Sequence, residues 1–235
     1  MKLKKIASLA LAGIMAVSMF TACGEGGNNG NGGEGEGEGE GTVVSGYSVT
    51  LKNALTGAVE DMDYVTFQDN ATYAAALKKA LNNVTDESVK AIAESSLTVT
   101  NAQTYKNADS AKMRAELADA LKITDGNFDV EDLAMNWYAN GSGNTLTNYK
   151  VTEGALFAVN GTVGVDEAIK QVAGKINQYL NKLPENGITS GDGTTWDYNY
   201  VVSVSVVNKA LEPFAGYTTS ATFIAVTVDR TVTNV

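Results

Sequence analysis

The chain has 235 residues, 17 basic against 27 acidic side chains, a net charge of −10 and no histidine. With no histidine, Ser-His-Asp and Cys-His catalysis, HExxH zinc hydrolysis and His-ligated metal centres are excluded, and with no basic cluster a nucleic acid is not an expected partner. One cysteine in the whole sequence rules out a disulfide within the chain and leaves stability to the apolar core.

The first stretch has the layout of an export signal. Lys2, Lys4 and Lys5 precede an apolar run from Ile6 to Phe20, which Thr21-Ala22-Cys23 closes. That run, at about 15 residues, falls short of the roughly 20 that a membrane-spanning helix needs. Phe20-Thr21-Ala22-Cys23-Gly24 resembles the lipobox of bacterial lipoproteins, with Phe20 where leucine is usual. The resemblance implies that the Cys23 thiol receives a diacylglyceryl group and that a signal peptidase cuts before it, so that Cys23 becomes the mature N-terminus. Two acyl chains anchor far more durably than one. The expected address is therefore the outer side of a cell membrane, with residues 1–22 removed.

From Gly24 to Gly41 the sequence is GEGGNNGNGGEGEGEGEG, without an apolar side chain to offset the entropy of ordering it. It reads as a tether, with a span of roughly 23 Å as a glycine-rich coil and about 60 Å when straight. Residues 23–41 thus connect the lipid to a folded region at 42–235, which is long enough for one sizeable core and in which a subdivision near 125 is conceivable.

Within that region Val43, Ser45, Tyr47, Val49 and Leu51 alternate with more polar neighbours and predict a strand over 43–51; a second strand is expected near 59–67. Asn70 is placed to cap a helix carrying Tyr73, Ala74, Leu77, Leu81 and Val84 on one side. A short helix follows from Thr85 to about Ser95, with a brief strand at 97–100. The next predicted helix, 109–123, carries Met113, Leu117, Ala120 and Leu121. Val130, Leu133, Ala134, Trp137 and Tyr138 then repeat at helical spacing, so a helix over 130–141, capped by Asp129 and ended by Gly141, would form a hairpin with its predecessor.

Segments 145–151 and 154–160 suggest a β-hairpin. The longest helix is expected over 165–183, stopped by Pro184. Residues 185–195 read as a loop before two long strands, 196–211 and 218–232, which should pair antiparallel. The expected class is α+β, with helices packed on one face of a mostly antiparallel sheet.

Four groups of residues are candidates for chemistry. Asp125, Asn127 and Asp129 resemble the second half of an EF-hand or dockerin calcium loop, although Leu121 and Ile123 stand where that loop needs oxygen ligands; the alternative is a turn leading into a helix cap. Trp196, Tyr198 and Tyr200 share one strand face and would form a stacking shelf for a glycan or peptide if exposed, or an aromatic edge of the core if not. Glu60, Asp61 and Asp63 could supply paired carboxylates on a strand, or a solvated edge. Gly161-Thr162-Val163-Gly164 precedes a helix but lacks the lysine of a phosphate loop.

No cofactor is implied. Together these features point to a lipid-anchored surface domain that binds a protein or glycan. The alternatives are a structural component of an envelope complex and a carboxylate-dependent glycan hydrolase.

Overall fold

The computed structural model describes residues 46–94, 100–101, 108–123, 128–135, 150–188, 195–211 and 219–234. All belong to the unit Val43–Val235. In chain order the elements are α1 (Tyr47–Ala54), β1 (Val65–Phe67), α2 (Ala71–Ala80), α3 (Asp86–Glu94), β2 (Thr100–Asn101), α4 (Ala108–Leu121), β3 (Lys150–Asn160), α5 (Val165–Leu180), β4 (Asn186–Ile188), β5 (Thr195–Ala210) and β6 (Ser220–Asn234). The class is α+β with a mostly antiparallel sheet, as the sequence predicts.

The sheet is built on its three long strands. β6 lies between β5 and β3 and pairs antiparallel with both, from Trp196↔Asn234 to Ala210↔Ser220 on one side and from Lys150↔Thr231 to Asn160↔Ala221 on the other. β2 extends the sheet beyond β3. On the outer edge of β5, β4 pairs antiparallel near Trp196 and β1 pairs parallel from Val65↔Tyr200 to Phe67↔Val202, so the two short strands follow one another along a single edge.

Helices cover both faces of this sheet, not one. On the first face α1 and α5 pack Leu51, Ile169, Val172 and Ile176 against Val151, Phe157, Val202, Val226 and Val228. On the second, α2, α3 and α4 pack Leu77, Val89, Ile92, Met113 and Leu117 against Leu156, Ala158, Phe223 and Ala225. The reason lies in β3 and β6, which are buried residue after residue, the pattern of strands covered above and below. Only β5, with its exposed Asp197 and Asn199, shows the alternation that suggests a half-covered sheet.

Several local expectations give way to tertiary packing. Residues 47–54 form a helix where a strand is predicted: the buried positions are Ser48, Leu51 and Leu55, at helical spacing, and Ser48 is tied down by its Oγ accepting from Val204 N–H at 2.9 Å and its own N–H donating to Asp69 at 2.8 Å. Residues 59–67 divide into a 3-10 turn, Ala58–Glu60, and the short β1. On α4, Met113, Leu117 and Leu121 are buried as expected, whereas Ala120 faces solvent.

The helix predicted after Asp129 is only a 3-10 turn, Val130–Ala134, ended by Met135 at φ 54 in the left-handed region, and Asp129 makes no side-chain cap. This short segment delivers Phe128 to the second core and Leu133 and Met135 to the first. A single regular helix presents one apolar stripe and could not serve both. Gly141, Trp137 and Tyr138 lie outside the described residues.

The hairpin expected around Gly154 is one continuous strand, β3, paired with β6. Gly154 is there for close approach, not for a turn: a Cβ on it would stand 2.9 Å from Phe128 Cε1. Residues 145–149 of that hairpin lie outside the described residues. The loop expected over 185–195 contains β4. By contrast α2, α3, α5 and the β5–β6 pair form close to where the sequence places them.

Candidate functional site

The aromatic row belongs to the core. Tyr198 and Tyr200 are each 1% exposed beneath the first-face helices, and Trp196 is half-buried against the same cluster. Tyr200 packs between Tyr198 and Tyr64, with ring centroids 6.4 and 6.2 Å away, and its hydroxyl donates to Pro184 O at 2.8 Å. Burial pushes the Tyr200 hydroxyl far above the ordinary tyrosine value. A stacking shelf for a sugar or peptide is therefore not formed by these rings. They continue into Val202 and Val204 on the same face, and the helices that cover the valines cover the rings as well. Arg230, wholly buried, places its Cζ 4.6 Å from the Tyr198 ring centroid, a cation over an aromatic face inside the core.

The other candidates do not converge. Asp125 and Asn127 lie outside the described residues, and among the described residues no group of three or more acidic or cysteine side chains could hold a metal ion. Glu60, Asp61 and Asp63 are exposed around the turn before β1, where Glu60 accepts the Gly57 N–H at 2.8 Å. Gly161 to Gly164 make the turn between β3 and α5, with Asn160 accepting the Thr162 N–H and acidic Asp166 and Glu167 in the first turn of the helix. Cys23 lies outside the described residues.

A different group of side chains meets on the second face. The antiparallel register of β3 and β6 sets Thr152 opposite Asp229, and the Thr152 hydroxyl donates to Asp229 Oδ1 at 2.5 Å. From above, Tyr73 on the first turn of α2 donates its hydroxyl to the same carboxylate, at 2.8 Å from Oδ2 and 2.9 Å from Oδ1. Asn70 aims that residue: its side chain accepts the N–H groups of Thr72 and Tyr73, which fixes where α2 begins. Lys150, two residues from Thr152 on the same face, brings Nζ to 3.3 Å from both Asp229 Oδ1 and the Tyr73 hydroxyl.

The electrostatics follow from that geometry. Burial, together with the Asp229 charge and its hydrogen bond, raises the Tyr73 hydroxyl above its ordinary pKa. For Lys150 burial works downward, but the attraction of Asp229 and the contact with Tyr73 outweigh it, and the ammonium is held above the usual lysine value. Asp229 itself is 9% exposed, and its carboxylate accepts from hydroxyls and an ammonium at once.

Beside this cluster opens a cleft of about 380 Å³. Its floor is Val201, Ser203 and Asp229 on adjacent strands, and its wall is Gln68 to Ala71, the link from β1 together with the first residue of α2. Directly across from Ser203 in the register stands Thr227, 2% exposed, whose hydroxyl has no hydrogen-bond partner among the described residues. A polar strip of Thr152, Asp229, Thr227 and Ser203 thus runs across the second face of the sheet. The sequence carries a faint trace of it, because Thr152, Thr227 and Asp229 fall at alternate positions of strands that are buried on both faces. Nothing in the sequence says that Tyr73 and Lys150 meet them.

No family model, no curated sequence and no solved structure matches the chain.

Proposed function

We propose that this protein is a lipid-anchored surface lipoprotein whose α+β domain binds a ligand outside the cell. Support for the anchor is the one cysteine of the chain, placed between an apolar leader and a glycine-rich spacer. Support for binding is the open cleft over Ser203 and Asp229, the one observation that carries the reading: amide, hydroxyl and carboxylate side chains converge there over the second face of the sheet.

Holding a ligand suits these groups better than catalysis does. Both carboxylates of the cleft already accept hydrogen bonds, Asp229 from Tyr73, Thr152 and Lys150, and Asp69 from the Ser48 N–H. A general acid or base must exchange a proton with its substrate, and an acceptor occupied by fixed donors is poorly placed for that. Among the described residues no helix is long and apolar enough to cross a membrane.

Mass spectrometry of the native protein tests the anchor. The expected N-terminus is Cys23 carrying a diacylglyceryl thioether, and Cys23→Ala should leave the membrane fraction or retain its leader. An intact leader with a free thiol in the wild-type protein would sink the proposal.

A further inference from the structure

The cleft also carries information about the class of its ligand, an inference that rests on reading it as a binding site. We infer that it takes a small neutral polyhydroxylated group, of the size of one sugar ring. Its volume of about 380 Å³ lies near the lower end of the roughly 300–1,000 Å³ of small-molecule sites, which suits a single ring better than an extended chain.

The lining chemistry removes the other classes in turn. An anion would meet Asp69 and Asp229, and the α2 N-terminus offers it little, because Asn70 Oδ1 already takes the Thr72 and Tyr73 N–H groups. An ammonium group drawn to Asp229 would find that carboxylate already paired with Lys150, which stands outside the lining but 3.3 Å from Oδ1 and would repel a second cation there. An apolar ligand would find only Val201 and Ala71 as apolar side chains, with no aromatic ring among the lining residues. A metal ion lacks three convergent acidic ligands among the described residues.

A hydroxyl-rich neutral group fits what remains. Each hydroxyl both donates and accepts, and the cleft offers the amides of Gln68 and Asn70, the carboxylates of Asp69 and Asp229 and the hydroxyl of Ser203. Asp229 Oδ2 accepts from Tyr73, and a carboxylate oxygen has acceptor capacity for a second donor, here from the ligand. Next to the cleft, across from Ser203 in the register, the buried Thr227 hydroxyl has no hydrogen-bond partner among the described residues.

Saturation-transfer NMR on the full chain tests the inference, with glucose, galactose, mannose and N-acetylglucosamine as neutral probes and inorganic phosphate and methylammonium as charged ones. At least one neutral sugar should receive saturation. Gln68→Ala, on the exposed wall, should weaken that sugar about tenfold, the effect of one lost hydrogen bond, and Ser203→Val, which removes a hydroxyl from the floor, should abolish it. Unchanged circular dichroism shows that both variants fold. If phosphate or methylammonium binds instead, and Ser203→Val abolishes it, the cleft is a site but the ligand class is wrong. If no probe binds, or a sugar binds equally to both variants, the inference fails; the anchor at Cys23 stands or falls by its own measurement.

Discussion

At the scale of single residues, the carboxylate of Asp229 is the point where strand, strand and helix are joined. Thr152 reaches it across the sheet, Tyr73 from α2 and Lys150 from the strand end. A buried carboxylate that loses a donor keeps its desolvation cost, so Tyr73→Phe should destabilise the domain by about 1–3 kcal/mol. Urea unfolding reads this directly, and a midpoint equal to that of the wild type would show that the contact contributes nothing. Only part of this was legible beforehand. Tyr73 looks in the sequence like one more apolar position on an amphipathic helix, and no periodicity distinguishes a ring that packs from a hydroxyl that reaches a charge.

At the scale of elements, capping chemistry together with a sustained apolar period places a helix start, as at Asn70, while a cap residue alone does not, as Asp129 shows. Asn70 announces α2, because an asparagine side chain can accept the N–H groups that a helix leaves open, and its Oδ1 lies 3.0 and 3.2 Å from those of Thr72 and Tyr73. Asn70→Ala should cost about 1 kcal/mol. Since the cap also orients Tyr73, the loss in an Asn70→Ala/Tyr73→Phe double variant should fall short of the sum of the two singles; strict additivity in urea unfolding would refute that coupling. α1 has no such signature. Gly46 offers no side chain to cap it, and the alternating Val43 to Leu51 pattern suits a strand equally well until Ser48 is seen bonded to Val204 and Asp69.

For the whole molecule, two cores on opposite faces share β3 and β6, and tyrosines stand in or beside each. Burial raises the hydroxyls of Tyr64 and Tyr200 on the first face and of Tyr73 on the second, and Lys150 is raised as well. Groups whose folded pKa lies above the unfolded value hold their protons more tightly in the fold. Their contribution is complete below about pH 10, the ordinary tyrosine value, and is lost as pH climbs through the folded values. The domain should therefore unfold cooperatively in strong alkali, with tyrosinate absorbance and loss of circular dichroism rising together. Smooth tyrosine titration near the ordinary value with the fold intact would contradict the burial of these rings.

What the amino-acid sequence determined alone was whatever depends on neighbours in the chain: the Asn70 cap, the long amphipathic α5 and the α+β class. Short-range spacing and capping chemistry suffice for these. Tertiary structure decided which faces are covered, because β3 and β6 are buried on both sides and their sequence does not say which helices come to lie there. It also decided that Tyr198 and Tyr200 are core and that Tyr73, Lys150, Thr152 and Asp229 stand together. Residues 73 and 229 are brought into contact by strand register and helix docking, and neither leaves a mark at short range in the sequence.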